Sequence, residues 1–343
     1  MTVEVLTPQE WSAALDSAGS RWSPLEGPAA VVVDGDWDAG SPPGGNAHRP
    51  VVPVVGRLRV PVGPDAVPLA NACDVLVGRS GDEAPGSVAG GDDEIEVLAD
   101  RVGANPLAAS VLCQLLRGSG DLDVGAGLLV ESLAYATLQA GPEFATWLAR
   151  RRPARSSPSI GSRPTLTVNR ELERLTVRLD RPHVHNAVNA DMRDALVEAF
   201  ELVAADPSIT DVRLTGSAPS FSSGGDLSEF GTVPDPATGH AVRSLRLPAR
   251  PLARVADRVR VMVHGACVGA GVELAAFAWS VEATPGATFR LPEVGMGLVP
   301  GAGGTVSLPR RIGRHRTAWL GLSGAAIDTG TARDWGLVDR VVD

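Results

Sequence analysis

Apolar positions along this chain recur with two different periods, and the changes of period divide it into elements. "LTV" (166 to 168) and "RLTVRLD" (174 to 180) alternate apolar and polar residues, the pattern of half-buried strands. Asn189 then offers a helix cap, and Met192, Leu196, Val197, Phe200 and Val203 follow at helical spacing until "ADPS" ends the run. "DVRLTGS" (211 to 217) and "VMVH" (261 to 264) predict further strands, "VELAAFAWS" (272 to 280) a helix, and "SVEAT" and "ATFRL" short strands again. Strands alternating with helices predict an α/β layer architecture. Before residue 94 the apolar runs are short: "AAVVV" (29 to 33), "VVPVV" (51 to 55) and "CDVLV" (73 to 77), separated by Gly, Pro and Asp. They predict a few strands joined by long loops. From 94 the pattern turns helical through "EIEVLADRVGANPLAASVLCQLLRG" and "GAGLLVESLAYATLQAGPEFATWLARRR". Between 151 and 164, "RRPARSSPSIGSRP" has no periodicity and predicts an exposed connector.

Composition narrows the function classes. With 343 residues, 44% of them hydrophobic, the chain can build one large core or two modest ones. It has no apolar run of about 18 residues and no basic-then-apolar leader pattern at its start, so a cytoplasmic protein that does not insert into a membrane is expected. A net charge of −9 argues against a nucleic-acid partner. Three scattered cysteines without CxxC spacing suggest neither disulfides nor a metal site. All 31 basic residues are arginine, which excludes lysine catalysis and leaves anions to Arg forks, backbone N–H groups and helix N-termini.

Three glycine-rich turns carry the candidate chemistry: "FSSGGDL" (221 to 227), "HGACVGAGVEL" (264 to 274) and "LVPGAGGT" (298 to 305). A dinucleotide fingerprint fails because Leu274 stands where the third glycine belongs, and a Walker loop fails for want of lysine. No GxSxG elbow supports a hydrolase built on Ser222 or Ser223 with His264. What remains in the second turn is strand, glycines and helix start, with Ala270 at the entrance and Glu273 in the first turn. Free N–H groups there suit an oxyanion. Glu273 reads either as a dipole-favoured carboxylate or as a catalytic acid, and Glu293 in "RLPEVGMG" either as a solvated loop acid or as its partner.

"LDRPHVHNAVNADMRDALVEAFE", "LTGSAPSFSSGGDLSEF", "VHGACVGAGVELAAFA" and "FRLPEVGMGLVPGAGGTVSLPRRIG" resemble, in order and spacing, the successive motifs of the enoyl-CoA hydratase/isomerase (crotonase) superfamily. The resemblance covers roughly 165 to 343. It implies an α/β fold with a crotonase-like ββα spiral core, preceded here by a domain of short strands followed by helices. It also implies a CoA-thioester substrate, no separate cofactor and no metal, and assembly as a homo-oligomer, a trimer or hexamer. By motif, the thioester carbonyl would sit between the backbone N–H groups of Gly225 and Ala270. Glu273 resembles the water-activating base and Glu293 the acid, and Ala187, Ser223, Gly224, Asp226, Leu227, Gly269 and Gly301 fall at substrate or CoA positions. Two acids favour hydration of a 2-enoyl-CoA. The alternatives are double-bond isomerisation or other acyl-CoA chemistry on the same site, and a non-catalytic acyl-CoA-binding subunit.

The chain departs from the family pattern in several places. His264 replaces a frequent Asn, Ala270 the middle glycine of a triple-glycine turn, and Ser228 a basic CoA contact. Arg181, Arg243, Arg246 and Arg250 are candidate phosphate contacts, with a solvated helix face as the alternative for the last three. The family's closing lid helices normally follow a "WGLVDRVVD"-like strand, but here the segment resembling them lies at 94 to 155. The expected organisation is a degenerate crotonase-like strand region (1 to 93), lid-type helices (94 to 155), a linker (156 to 164) and the catalytic core (165 to 343).

Overall fold

The computed structural model describes residues 3–16, 22–35, 49–151 and 164–343. The expected linker, apart from Pro164, lies outside the described residues. The alternating segments of the second part form a six-stranded sheet in the spatial order Leu166–Glu171, Arg174–Leu179, Asp211–Gly216, Val259–Val263, Ser280–Ala283 and Arg340–Val341. The first pair is antiparallel and the others parallel. Leu175, Val177 and Leu179 share a core with Met192, Leu196, Phe200 and Val203 of the helix Ala190–Ala205. That helix starts where expected, Asn189 Oδ1 accepting from Met192 N at 3.1 Å. Val197 is only half-buried, and Ala199 takes the core position instead. A smaller sheet joins Ala266–Val268, Thr288–Arg290 and Ala326–Asp328.

The helix expected over 272–280 is corrected to Ala270–Ala275. Its end tightens, with Phe277 N bonded to Leu274 O and Ala278 N to Ala275 O. Trp279 N then turns to Ala256 O at 3.2 Å, and Ser280 is already strand. Periodicity alone could not see that the apolar "AAFAW" run serves a turn.

The first part holds five parallel strands in sequential order, Val3–Leu6, Ala30–Asp34, Val54–Leu58, Val75–Gly78 and Val88–Ala89. Pro53, which lacks an N–H, precedes the third strand, so the expected "VVPVV" strand begins only at Val54. The strand Val3–Leu6 and the helix Pro8–Asp16 carry too few periods to be read from the sequence. One face of this sheet packs on its own core around Trp11, Leu69 and Leu76. Val55, Val75 and Val77 join a second core with Leu98, Leu112 and Leu116. These belong to the helices Asp92–Ala104 and Pro106–Gly118. The same core takes in Val294, Leu298, Ala318 and Leu322 of the second part.

A charged joint reinforces this contact. Arg117 forks onto the buried Asp74, with Nε donating to Oδ1 at 2.7 Å and Nη2 paired to Oδ2. Arg314 donates to the carbonyl of Cys73 at 3.0 Å and His315 Nδ1 to that of Asp74 at 3.0 Å. The helices Val124–Gln139 and Pro142–Arg150 continue onto the second part, the first lying against Pro236–Arg246 and Gly304–Ile312. Gly127 permits one of these contacts, because a Cβ there would come within 2.9 Å of Val306.

Separating residues 164–343 would expose the inward faces of Val294, Leu298 and Leu322, each worth about 1.5–3 kcal/mol when buried, together with the smaller Ala318. Their sum is comparable to the whole net stability of a domain. The isolated fragment is expected to be insoluble or to melt without cooperativity; a soluble fragment with a sharp thermal transition would contradict this packing argument.

Candidate active site

Two glycine turns lie side by side at the heart of the second part. Val268 N donates to Ser222 O at 2.9 Å and Ser222 N to Ala266 O at 3.1 Å, so the segment 222–225 runs along 266–269. The approach is close enough to require glycine: Gly224 has φ +91°, and a Cβ there would stand 2.9 Å from Val268 O. Gly269, at φ +50°, turns the chain into the helix Ala270–Ala275. Just beyond these two glycines, Gly225 and Ala270 line one cavity of about 460 Å³. Among the described residues no acceptor takes either backbone N–H. The turn side chains are otherwise engaged: Ser222 Oγ donates to Asn186 O at 2.9 Å, and burial pushes the Cys267 thiol far above its ordinary range. Neither is a nucleophile in this setting.

Glu273 and Glu293 stand behind the cavity wall. Glu273 is 2% exposed, and its Oε2 accepts from Ala302 N at 2.7 Å and Gly304 N at 2.8 Å. Glu293 reaches Gly269 from the other side, its Oε1 2.5 Å from where a Cβ on that glycine would be. Its Oε2 is buried and has no hydrogen-bond partner. Burial raises both acids above the ordinary carboxylate range, Glu293 to about 7, and the charge of Glu293 raises Glu273 further. An arrangement of free N–H groups beside paired buried acids can stabilise a developing oxyanion and move protons at neighbouring atoms.

A third acid completes the group and comes from the first part of the chain. Glu131, 1% exposed on the helix Val124–Gln139, accepts from Gly303 N at 2.7 Å, Thr305 N at 2.8 Å and Thr305 Oγ1 at 2.7 Å. Four successive N–H groups are thus dealt alternately, Ala302 and Gly304 to Glu273, Gly303 and Thr305 to Glu131. Tyr135, one turn further along the helix, packs on Gly301, where a Cβ would meet its ring at 2.5 Å. Neither residue is among the candidates that the sequence suggests. The available signal was a lone carboxylate inside the apolar run "GLLVESLAYATL", a residue type that is rarely buried without partners.

The remaining expected positions separate into two groups. Gly225, Asp226, Ala270 and Gly301 line the cavity; Ala187, Ser223, Gly224, Leu227 and Gly269 do not. Ala187 is buried, Ser223 donates to carbonyl oxygens of the 184–185 turn, and Leu227 is 42% exposed. Of the arginines, Arg181 is committed to Asp226 at 2.8 Å and to Ala187 O at 2.6 Å, which leaves it a bracing role. Arg243 alone of the four lines the cavity.

A model of the enoyl-CoA hydratase/isomerase family matches residues 174–343. The 2,3-dehydroadipyl-CoA hydratase of Escherichia coli K12 is 38% identical over 176 residues, which are 51% of this chain and 68% of that protein. The 1,2-epoxyphenylacetyl-CoA isomerase of the same organism is 35% identical over 173 residues, 49% of this chain and 66% of that protein. The solved enoyl-CoA hydratase of Thermoplasma volcanium GSS1 is 30% identical, with 53% of this chain and 73% of that chain covered at a TM-score of 0.49. The chain belongs to the enoyl-CoA hydratase/isomerase (crotonase) family. The two Escherichia coli relatives are named for different reactions, so membership gives the scaffold and leaves the reaction to the site.

Burial raises Glu131 to about 7, as it does Glu293, against about 4.3 for a glutamate in an unfolded chain. A raised folded-state pKa means that the folded protein holds the extra proton, so this contribution to stability is full below about pH 4 and is lost as pH rises through 7. His315, pushed down to about 4 by burial, acts in the opposite direction between about 4 and 6.5. The informative readout is therefore a difference. The stability of wild type minus that of Glu131→Gln, from urea melts, should decline between pH 4.5 and 7 and level off above; a flat difference would refute the buried-acid assignment.

Proposed function

We propose that this protein adds water across the 2,3 double bond of a 2-enoyl-CoA. The observation that carries the reading is the pair of unengaged N–H groups, Gly225 and Ala270, in one cavity backed by two buried acids. As water adds to C3, charge builds on the thioester oxygen, and each preorganised donor contributes about 2.7–4 kcal/mol to the transition state. Burial raises both acids, but Glu273 accepts two N–H bonds, which favour its carboxylate, while the orphaned Oε2 of Glu293 favours a proton; with Glu293 protonated, the charge that would raise Glu273 further is gone. Glu273 accordingly takes a proton from water while its oxygen bonds to C3. Glu293 supplies the proton that ends on C2 as the thioester carbonyl re-forms. The product is a 3-hydroxyacyl-CoA, and the pair needs only one proton transfer back to be ready again.

The helices Asp92–Arg150 take, in this reading, the place of the lid helices that the family carries after its core. Support comes from Glu131 and Tyr135, which the first of the chain's two parts contributes to the site. Isomerisation is the competing reaction on the same oxyanion site, and one acid suffices for it.

Crotonyl-CoA distinguishes these readings. Wild type should form the 3-hydroxy product, and Glu273→Gln and Glu293→Gln should each lower kcat by about 10²–10⁴ while CoA thioesters still bind. Binding of crotonyl-CoA by wild type without any hydroxylated product would sink the hydratase reading.

A further inference from the structure

The cavity that holds Gly225 and Ala270 also holds a cation. Arg243, on the helix Pro236–Arg246, lies partly buried in a wall made apolar by Val242, Leu247 and Leu274. Its guanidinium covers the face of Tyr135, with Cζ 4.4 Å from the ring centre. Its hydrogen bonds go to neutral groups: Nε donates to Ser132 Oγ at 3.1 Å, Nη1 to Gln139 Oε1 at 3.2 Å and Nη2 to Ser132 O at 3.3 Å. Among the described residues no carboxylate comes within ion-pair distance, although the other arginine lining this cavity, Arg193, has Asp194 at 2.8 Å. The charge of Glu131, behind the cavity, acts on Arg243, but both oxygens of Glu131 are taken by Gly303 and Thr305; of the acids that line the cavity, Asp226 is paired with Arg181 and Glu229 accepts from Ala190 N. Burial lowers the Arg243 pKa, yet a guanidinium stays charged at any physiological pH. A partly desolvated cation with two N–H donors to spare is costly unless an anion meets it in the working complex.

We infer that Arg243 recognises a carboxylate at the far end of the acyl group, so that the substrate is a short 2-enoyl-CoA with an acidic terminus. The inference rests on the proposed acyl-CoA reading of this cavity. Position decides between an acyl carboxylate and the phosphates of CoA, which are the other anions available. The Tyr135 ring touches both Arg243 and Gly301, and the next residue, Ala302, holds Glu273 through its N–H. The guanidinium therefore lines the same cavity as Gly301 and Ala302 and is linked to them through a single aromatic side chain. The phosphates of CoA are held away from the thioester by the whole pantetheine arm, whereas the tail of a short acyl chain lies within that reach. A methyl-ended chain there would strip water from the cation without replacing it.

Saturated thioesters, which no hydratase can turn over, test this apart from the reaction. Calorimetric binding would compare succinyl-, glutaryl- and adipoyl-CoA with butyryl-, pentanoyl- and hexanoyl-CoA. At one length or more the carboxylated ligand should bind at least tenfold tighter, a preference that Arg243→Gln abolishes and Arg243→Lys partly keeps. Equal affinity within every pair on the wild-type protein would overturn the inference, whether or not a variant folds. So would a preference that survives Arg243→Gln, or a loss in that variant shared equally by methyl-ended thioesters and free CoA. The last pattern would mark Arg243 as a phosphate contact or a mere counter-charge to Glu131. Should crotonyl-CoA hydration fail while the carboxylate preference holds, the reaction would need revision and the subsite would stand.

Discussion

The site depends on how one turn distributes its backbone N–H groups. The residues Ala302 to Thr305 open the helix Gly304–Ile312, where four N–H groups have no partner inside the helix. Solvent does not satisfy them, because Gly303, Gly304 and Thr305 are buried. Two carboxylates do so instead, by turns, Glu273 from the helix Ala270–Ala275 and Glu131 from Val124–Gln139. An unmet buried donor costs about 1–3 kcal/mol, so neither acid can be withdrawn without loosening the other's seat. Glu273 is held in place by a turn that Glu131 holds from behind. A residue from the first part thereby fixes the geometry of an acid belonging to the second.

The same construction accounts for the charge state of the site. Three carboxyls converge in a setting where burial raises each of them. All three cannot ionise together at neutral pH, and their protons belong to the group more than to any member. Hydrogen bonds then sort the members, with Glu131 and Glu273 receiving donors and the Oε2 of Glu293 none. The glycines are part of this sorting. A side chain at Gly304 would strike the Cγ of Glu273 at 2.6 Å, and one at Gly269 the carboxyl of Glu293 at 2.5 Å. Glycine at these positions is space for the acids as much as freedom for the turns.

Legibility in the sequence followed the range of the interactions. The strands Arg174–Leu179 and Asp211–Gly216 and the cap at Asn189 are local patterns, and the structure has them where the periods placed them. Glu273 and Glu293 are each adjacent to a glycine turn, so a motif could point to them. Glu131 is 172 residues from Gly303, and no pattern within its own helix says what it binds. Arg243 stands in the sequence only as one of several basic residues, and that no acid among the described residues pairs with it is a three-dimensional fact. The runs at 29–33, 51–55 and 73–77 did mark three of the first part's strands, but two others escaped for another reason: Val3–Leu6 has four residues and Val88–Ala89 two, less than periodicity can separate from chance.

In the proposed reaction the arrangement avoids creating a net charge where a charge is hardest to accommodate. Glu273 gains a proton before Glu293 gives one up, so the site carries a single negative charge throughout, passed from Glu273 to the thioester oxygen and then to Glu293, in a medium that screens poorly. Only the thioester oxygen becomes transiently negative, and it does so between two N–H dipoles already oriented toward it. A lysine beside the acids would disturb this balance by offering a mobile proton of its own, and the chain contains none. Arg243 can line the same cavity without doing so, because a guanidinium does not give up its proton. It attracts an anionic tail through its charge and takes no part in the proton traffic. A cavity can in this way combine selection of an acidic substrate with acid chemistry, provided its cation is arginine.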